Sequence, residues 1–232
     1  YSSAASDVYK RQDVLERHRI NKEASDLDDL LNVIASSIGS LTNPVRLSNT
    51  FESVKHKTIK PETIAVYLDY FKDAFLIDNA IRYDIKGRKY INTPLKYYFV
   101  DVGLRNAKLN FRQQEENHIM ENIIFNELKL RGFNVDVGVV EYNYKDSEGK
   151  SRRTKLEVDF IANLGSKKFY IQSALSIDDE QKKEHETASL NRIDDSFSKI
   201  VVVKDNIEPR QDDKGIQYIG IEQFLLEEDW LR

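Results

Sequence analysis

The 232-residue chain is 40% hydrophobic, with four prolines and nine glycines, enough for a packed core and too few for a disordered tract. It has no cysteine, which excludes a disulfide scaffold, Cys-ligated zinc, iron–sulfur clusters and thiol catalysis, and suits the cytoplasm. The formal net charge of −4 conceals an asymmetry: residues 44–112 carry 13 Lys/Arg against 7 Asp/Glu, a balance of +6, so the remainder holds −10.

Residues 1–12 are rich in Ser and Ala and have no apolar periodicity. No apolar core follows their charges, as it would in a signal peptide, so they read as a cloning or sequencing junction ahead of a domain that begins near Asp13. Asp26-Leu27-Asp28-Asp29 then precedes Leu30, Leu31, Ile34, Ala35 and Ile38, an amphipathic helical stripe stopped at Gly39. A second helix is expected over 48–55, with Leu47 and Phe51 facing inward. Pro61 opens a third over 61–72, which carries Ile64, Tyr67, Leu68 and Phe71 at helical spacing. Extended runs at 74–83 and 96–100 flank the basic stretch Asp84-Ile85-Lys86-Gly87-Arg88-Lys89.

Three helices followed by a hairpin with a basic tip is the order of a winged helix-turn-helix. Helix 61–72 would then read a groove, with Lys86, Arg88 and Lys89 as the wing and Lys57 and Lys60 as further phosphate contacts; His56 faces solvent or phosphate. The exposed face of that helix also offers Glu62, Thr63, Asp69 and Asp73, which phosphates repel, so a plain protein-interaction module is the competing reading. A short helix over 101–106 and a polar linker over 108–116 follow, and the domain boundary is placed there, giving 13–112 and 113–232.

Beyond it the pattern reads helix 117–131 stopped by Gly132, strands 134–144, 154–163 and 168–175, helix 178–192 and strand 199–204. A further strand at 218–221 and a closing helix over 222–229 end the chain. The longest apolar runs, such as 200–203, are strand-length, and none is long enough to span a membrane as a helix.

Gly149-Lys150-Ser151 imitates the end of a phosphate-binding loop, but Tyr144 stands where that loop needs a glycine, and the segment reads as a hairpin turn. The informative constellation lies nearby. Glu121 shares a helix face with Ile124, Phe125 and Leu128, and a carboxylate on a buried stripe needs a partner or a metal. Alternation along the second strand puts Leu156, Val158, Phe160 and Ala162 on one face and Lys155, Glu157 and Asp159 on the other; the third strand puts Gln172 and Ala174 together.

A helix carboxylate, a strand aspartate and an acid-x-Lys on the next strand make up the PD-(D/E)xK nuclease arrangement. Its carboxylates hold Mg or Mn, the metal activates water, and the lysine supports the transition state. The catalytic candidates are therefore Glu121, Glu157, Asp159 and Gln172, with Lys155 as a stand-in for the lysine; Glu121 and Asp159 are the metal candidates. Gln172-Ser173-Ala174 replaces the acid by an amide and lacks the lysine, so the site reads as degenerate, with retained cleavage as the alternative. His118, one turn before Glu121, could reach a metal there or cap the helix. His185, between Glu184 and Glu186, reads as a surface residue.

Glu121-Asn122-Ile123-Ile124-Phe125-Asn126-Glu127-Leu128, Glu157-Val158-Asp159-Phe160-Ile161 and Tyr170-Ile171-Gln172-Ser173-Ala174 together resemble the domain of unknown function DUF4143, which closes many predicted AAA+-superfamily ATPases of bacteria and archaea. Thr63-Ile64-Ala65-Val66-Tyr67-Leu68 and Phe75-Leu76-Ile77 look like the winged-helix part of the same proteins. The resemblance implies an absent N-terminal ATPase module, the carrier of any ATP, with Asp13–Ile20 as its tail.

The expected fold is α+β in two domains: an N-terminal winged helix-turn-helix and a C-terminal restriction-endonuclease-like α/β domain with a mixed central sheet. The expected function is a DNA- or partner-binding region serving its own ATPase module, with no membrane partner and no resident cofactor beyond an optional Mg or Mn. A metal-dependent nuclease and an oligomerisation domain are the rival readings.

Overall fold

The structure, a computed structural model, describes residues 24–112 and 115–227. The segments read as a junction and as an ATPase tail, and the end of the closing helix, lie outside the described residues. Among those residues, seven α-helices and an eight-stranded mixed sheet form an α+β fold. The chain divides into two compact units: Thr93–Asn122 with the chain up to Ala80, and Ile81–Asn92 with the chain from Ile123 onward. The tip of the hairpin expected as a wing thus groups with the second unit.

In the first unit, α1 (Ala24–Ala35) follows the expected stripe: Leu27, Leu30, Leu31, Ile34 and Ala35 are buried, and Ile38 in the turn beyond it joins the same core. Gly39, with φ +68, ends that turn. α2 (Pro44–Lys55) begins four residues earlier than expected, because Asn43 caps it by accepting from the Arg46 N–H at 2.8 Å and Pro44 occupies the first turn. α3 (Pro61–Asp73) buries Ile64, Tyr67, Leu68 and Phe71. α4 (Val102–Lys108) is capped by Asp101, and its Arg105, fully buried, donates from Nε to the Ala35 carbonyl at 2.9 Å, satisfying an orphan acceptor at the end of α1.

The hairpin strands are β1 (Ile77–Asp84) and β2 (Lys89–Phe99). β2 begins seven residues before the expected run. Thr93-Pro94 interrupts the sequence signal, but β2 lies at the edge of the sheet, where a proline without an N–H removes no ladder bond. Lys89, expected in the loop, is the first residue of β2. α5 (Glu116–Leu130) follows, and the division between the units falls within it. Asn122, fully buried, both accepts from the Phe99 N–H at 2.8 Å and donates to the Phe99 carbonyl at 2.7 Å.

The sheet order is β2-β1-β3-β4-β5-β6-β8-β7, and its larger part belongs to the second unit. β3 (Asn134–Lys145), β4 (Ser151–Leu164) and β5 (Lys167–Ala174) are successive antiparallel neighbours, whereas β1 runs parallel to β3. β6 (Ser198–Val203) and β8 (Ile216–Gly220) extend the sheet in parallel, and β7 (Arg210–Gln211) pairs antiparallel with β8. The helix expected over 178–192 is shorter, α6 (Glu180–Thr187), followed by a separate 3₁₀ turn at Leu190–Arg192. α7 (Ile221–Leu226) is pinned by Arg131, whose guanidinium donates to the Phe224 carbonyl at 2.9 Å.

The expected strict alternation along β4 does not hold. The β3–β4 register slips between Asp136 and Gly138, so Val158 and Ile161, three positions apart, enter the same core, while Phe160 meets Phe125 of α5 at 6.3 Å between ring centroids. A bulge inserts one residue into the period of two and re-aims everything beyond it. Gly138 sits at this slip because a Cβ there would come within 2.8 Å of Val158 Cβ.

Candidate functional site

Among the described residues no group of three or more His, Cys, Asp or Glu side chains is placed to hold a metal ion. The carboxylates expected to converge are engaged in separate tasks. Glu121, in the first unit, is 8% exposed and accepts from Lys96 Nζ at 2.8 Å and from the Tyr98 hydroxyl at 2.6 Å. Its oxygen serves a buried ion pair, the partner that a carboxylate on an apolar stripe requires. His118 Nδ1 is buried beside Gly39 and Glu121 and has no hydrogen-bond partner among the described residues.

In the second unit the structure does bring Asp159 and Gln172 together. The Asp159 carboxylate accepts from the Ser173 N–H at 2.8 Å, and Gln172 Oε1 lies 3.4 Å from the Asp159 N–H and 3.5 Å from the Ser189 hydroxyl. Glu157 stands opposite Val139 in the ladder. Lys155, the stand-in lysine, is paired across the strands with Glu141 at 2.8 Å, and Arg153 shares the same acid. The turn between β3 and β4 is the expected hairpin, held by the Asp146 carboxylate, which accepts from the Glu148 and Lys150 N–H groups; its Gly149 has φ +75.

Of the basic residues expected to meet phosphate, Lys57 is paired with Asp26 at 2.5 Å and Lys60 is exposed at the N-terminus of α3. Lys86, Arg88 and Lys89 are exposed at the hairpin tip. That tip is rigidly built: Asp84, buried, accepts from the Gly87 N–H at 2.9 Å, and a Cβ on Gly87 would collide with that carboxylate. Arg88 takes a left-handed φ of +51, which turns the chain into β2.

Within the second unit, Lys86 and Arg88 open onto a cleft of about 590 Å³. Tyr83, Lys168, Tyr170 and the 193–197 loop line its other sides. An adjoining cleft of about 400 Å³ shares Tyr83, Arg88 and Lys168 and is completed by Tyr90, Asn134, Asp136, Ile161 and Asn163. Tyr83 and Tyr90 meet edge to face at 5.1 Å, and Lys168 Nζ stands 4.7 Å from the centre of the Phe197 ring. The rim loop is fixed by Asp195, which accepts from the Tyr170 hydroxyl at 2.5 Å and from the Phe197 N–H at 3.2 Å. Three cations and four aromatic rings therefore share one concave surface, the combination that binds phosphate and stacks planar rings.

Tyr83, Tyr90, Lys168, Asp136 and Phe197 were not singled out by sequence reasoning. The available signal was modest: two tyrosines flank the basic loop, and Lys167-Lys168 follows the Gly165-Ser166 turn.

One carboxyl and one phenol in this surface are electrostatically modified. Burial raises the Asp136 carboxyl above the ordinary range, against the lowering effects of the Tyr90 hydrogen bond and of Lys129. The charge of Asp136, followed by burial, pushes the Tyr90 phenol up. Because the folded-state value of Asp136 lies above the unfolded one, its ionisation opposes folding. Its contribution is most favourable where it is protonated and declines as pH rises through the folded-state value. Asp136→Asn is therefore expected to melt higher than the parent at neutral pH, with the two melting curves converging below about pH 3.9, where a free Asp is protonated as well. A difference that persists unchanged in acid would refute this account.

Residues 2–115 match a family described as a domain of unknown function, DUF8612. This match overturns the resemblance to DUF4143, and the placing of the chain in an AAA+ ATPase, which rested on that resemblance, falls with it. An uncharacterized protein of Haemophilus influenzae is 35% identical over 206 residues, covering 89% of this chain and 47% of that protein. An uncharacterized protein of Methanocaldococcus jannaschii is 30% identical over 174 residues, covering 74% of this chain and 35% of that protein. The chain thus spans less than half the length of these curated relatives. The crystal structure of protein VC1899 from Vibrio cholerae aligns with 92% of this chain and 53% of that one, at 13% identity and a TM-score of 0.33, a likeness that carries no argument.

Proposed function

We propose that the chain is a nucleic-acid-binding module that holds phosphates at the hairpin tip. The observation that carries this reading is the convergence of Lys86, Arg88 and Lys168 on one concave surface paved with Tyr83, Tyr90, Tyr170 and Phe197. Cations beside aromatic faces recognise a polyanion of stacked rings, and the two clefts fall in the range of small-ligand sites, about 300–1,000 Å³. In finer terms, the three helices followed by a hairpin in α1–α3 and β1–β2 support a winged-helix reading of the first unit. The order α5-β3-β4-β5-α6-β6, with Asp159 beside Gln172 on neighbouring strands, supports a nuclease-like ancestry for the second.

The amide at Gln172 and the engagement of Lys155 by Glu141 favour binding over cleavage. Binding through phosphate contacts releases counterions, so affinity must fall with salt. Fluorescence anisotropy with labelled oligonucleotides is expected to give a slope of log K against log salt of about −2, from roughly 0.7 per single-strand phosphate over three cations. No binding at low salt, or binding indifferent to salt, would exclude the reading.

A further inference from the structure

We infer that this surface takes a single-stranded polynucleotide, with bases unpaired, in preference to a duplex. The inference rests on the phosphate-binding reading above and concerns what else the same surface contacts. Its charges are mixed: Lys86, Arg88 and Lys168 share the two clefts with Asp136, Asp194 and Asp195. A duplex approaching side-on presents chiefly phosphates to such a surface, and the three carboxylates would repel them. A nucleotide with its base exposed presents both kinds of group at once, an anionic phosphate and a planar ring edged with N–H donors. The carboxylates then act as acceptors for the base edge, as carboxylates do for the amino group of cytosine, and Asn134 and Asn163 add amide donors and acceptors in the smaller cleft.

The rings are disposed to serve the same ligand. Tyr90 is 58% exposed and Phe197 39%, yet neither is loose. Tyr90 is set by its edge contact with Tyr83 and by a 3.4 Å hydrogen bond to Asp136, and Phe197 is set by its N–H bond to Asp195 and by Lys168 over its ring. A large aromatic side chain held in place and left partly exposed is a stacking platform, and only an unpaired base can lie flat on it. The two clefts share Tyr83, Arg88 and Lys168, so successive nucleotides would occupy adjoining subsites with the shared cations between them. The hairpin tip closes one side of this pair of clefts.

The test is fluorescence anisotropy of the full chain with one labelled oligomer of about 12 nucleotides, the size range of single-strand sites, presented as single-stranded DNA, as single-stranded RNA and as a blunt duplex. At least one single strand is expected to bind about tenfold tighter than the duplex. Tyr90→Ala and, separately, Phe197→Ala are each expected to weaken the single strand by about fivefold or more and the duplex by distinctly less, and Tyr90→Phe to keep the preference. Both rings are exposed, so neither loss should unfold the protein, and melting curves of the variants verify this. A stronger response to the RNA or the DNA arm identifies the backbone, and either supports the inference. A duplex bound as tightly as both single strands, or full single-strand affinity in both alanine variants, overturns the inference and leaves phosphate binding standing. Absence of binding to all three probes overturns phosphate binding itself.

Discussion

Glu121→Ala is expected to destabilise the protein by about 3–5 kcal/mol, the range for removing one partner of a buried ion pair. The carboxylate is nearly inaccessible and accepts from two buried donors, Lys96 Nζ and the Tyr98 hydroxyl. Without it, the ammonium of Lys96, itself 4% exposed, loses its counter-charge in a medium that solvates it poorly. The pair is not an efficient source of stability as such, since an apolar pair of similar volume avoids the desolvation. Lys96→Met combined with Glu121→Leu and Tyr98→Phe is therefore expected to recover most of the loss. Glu121→Gln, which keeps an acceptor for Tyr98 and discards the charge, should fall between parent and alanine. Urea denaturation of the parent and the three variants measures this directly. A Glu121→Ala variant within about 1 kcal/mol of the parent would mean that the pair does not exist in solution, because exposed pairs contribute no more than that.

The second large effect belongs to the hairpin tip. Replacing Lys86, Arg88 and Lys168 together by alanine is expected to lower oligonucleotide affinity about 100-fold at low salt, from roughly 1 kcal/mol for each exposed phosphate contact. The salt slope should also collapse towards zero, by about 0.7 for each lost single-strand contact. The companion control removes Lys57 and Lys60. Lys57 is neutralised by Asp26 and Lys60 lies at the start of α3, neither of them in the clefts, so their loss should change affinity little. If the control pair matters as much as the triple, the phosphates bind along the first unit and the cleft is not the contact surface. The thermal midpoint of the triple variant should stay near that of the parent. Among the described residues none of the three cations has an ion pair that rivals Lys96–Glu121, and Asp84 and Gly87, which build the turn, are left in place.

The first unit's helices were legible because each rests on information within one turn. Leu27, Leu30, Leu31 and Ile34 repeat with helical spacing, and all are buried. Asn43-Pro44 is an equally local cap signal, and it alone accounts for the first turn of α2 that the apolar positions do not predict. The early start of β2 has a different cause. Thr93-Pro94 reads as a strand breaker unless one knows that the strand lies at an edge, and edge position is a property of the whole sheet. The slip at Gly138 belongs to the same class, since nothing within Leu156–Ala162 announces that the partner strand will shift register.

The fate of the candidate acids follows from the same distinction. Residue type and periodicity identified Glu121 as a carboxylate on a buried face, and it is buried in the folded chain. Which partner each one meets was beyond that reach. Lys96 and Tyr98 lie more than twenty residues before Glu121, and Glu141, which takes Lys155, lies on a different strand. The cleft is the extreme case: its walls come from β1, the hairpin tip, β2, β3, β4, β5 and the loop before β6.

By itself, the sequence determined the α+β class, most of the helices and strands, the hairpin with its basic tip, and the exclusion of thiol and cysteine–metal chemistry. Those properties depend on side-chain periodicity and composition, which act between residues a few positions apart. Only the tertiary structure decided which charges are spent on each other and which stand exposed beside aromatic rings. Coulombic and desolvation energies depend on distance and burial, and distant segments acquire both only when the strands have chosen their register.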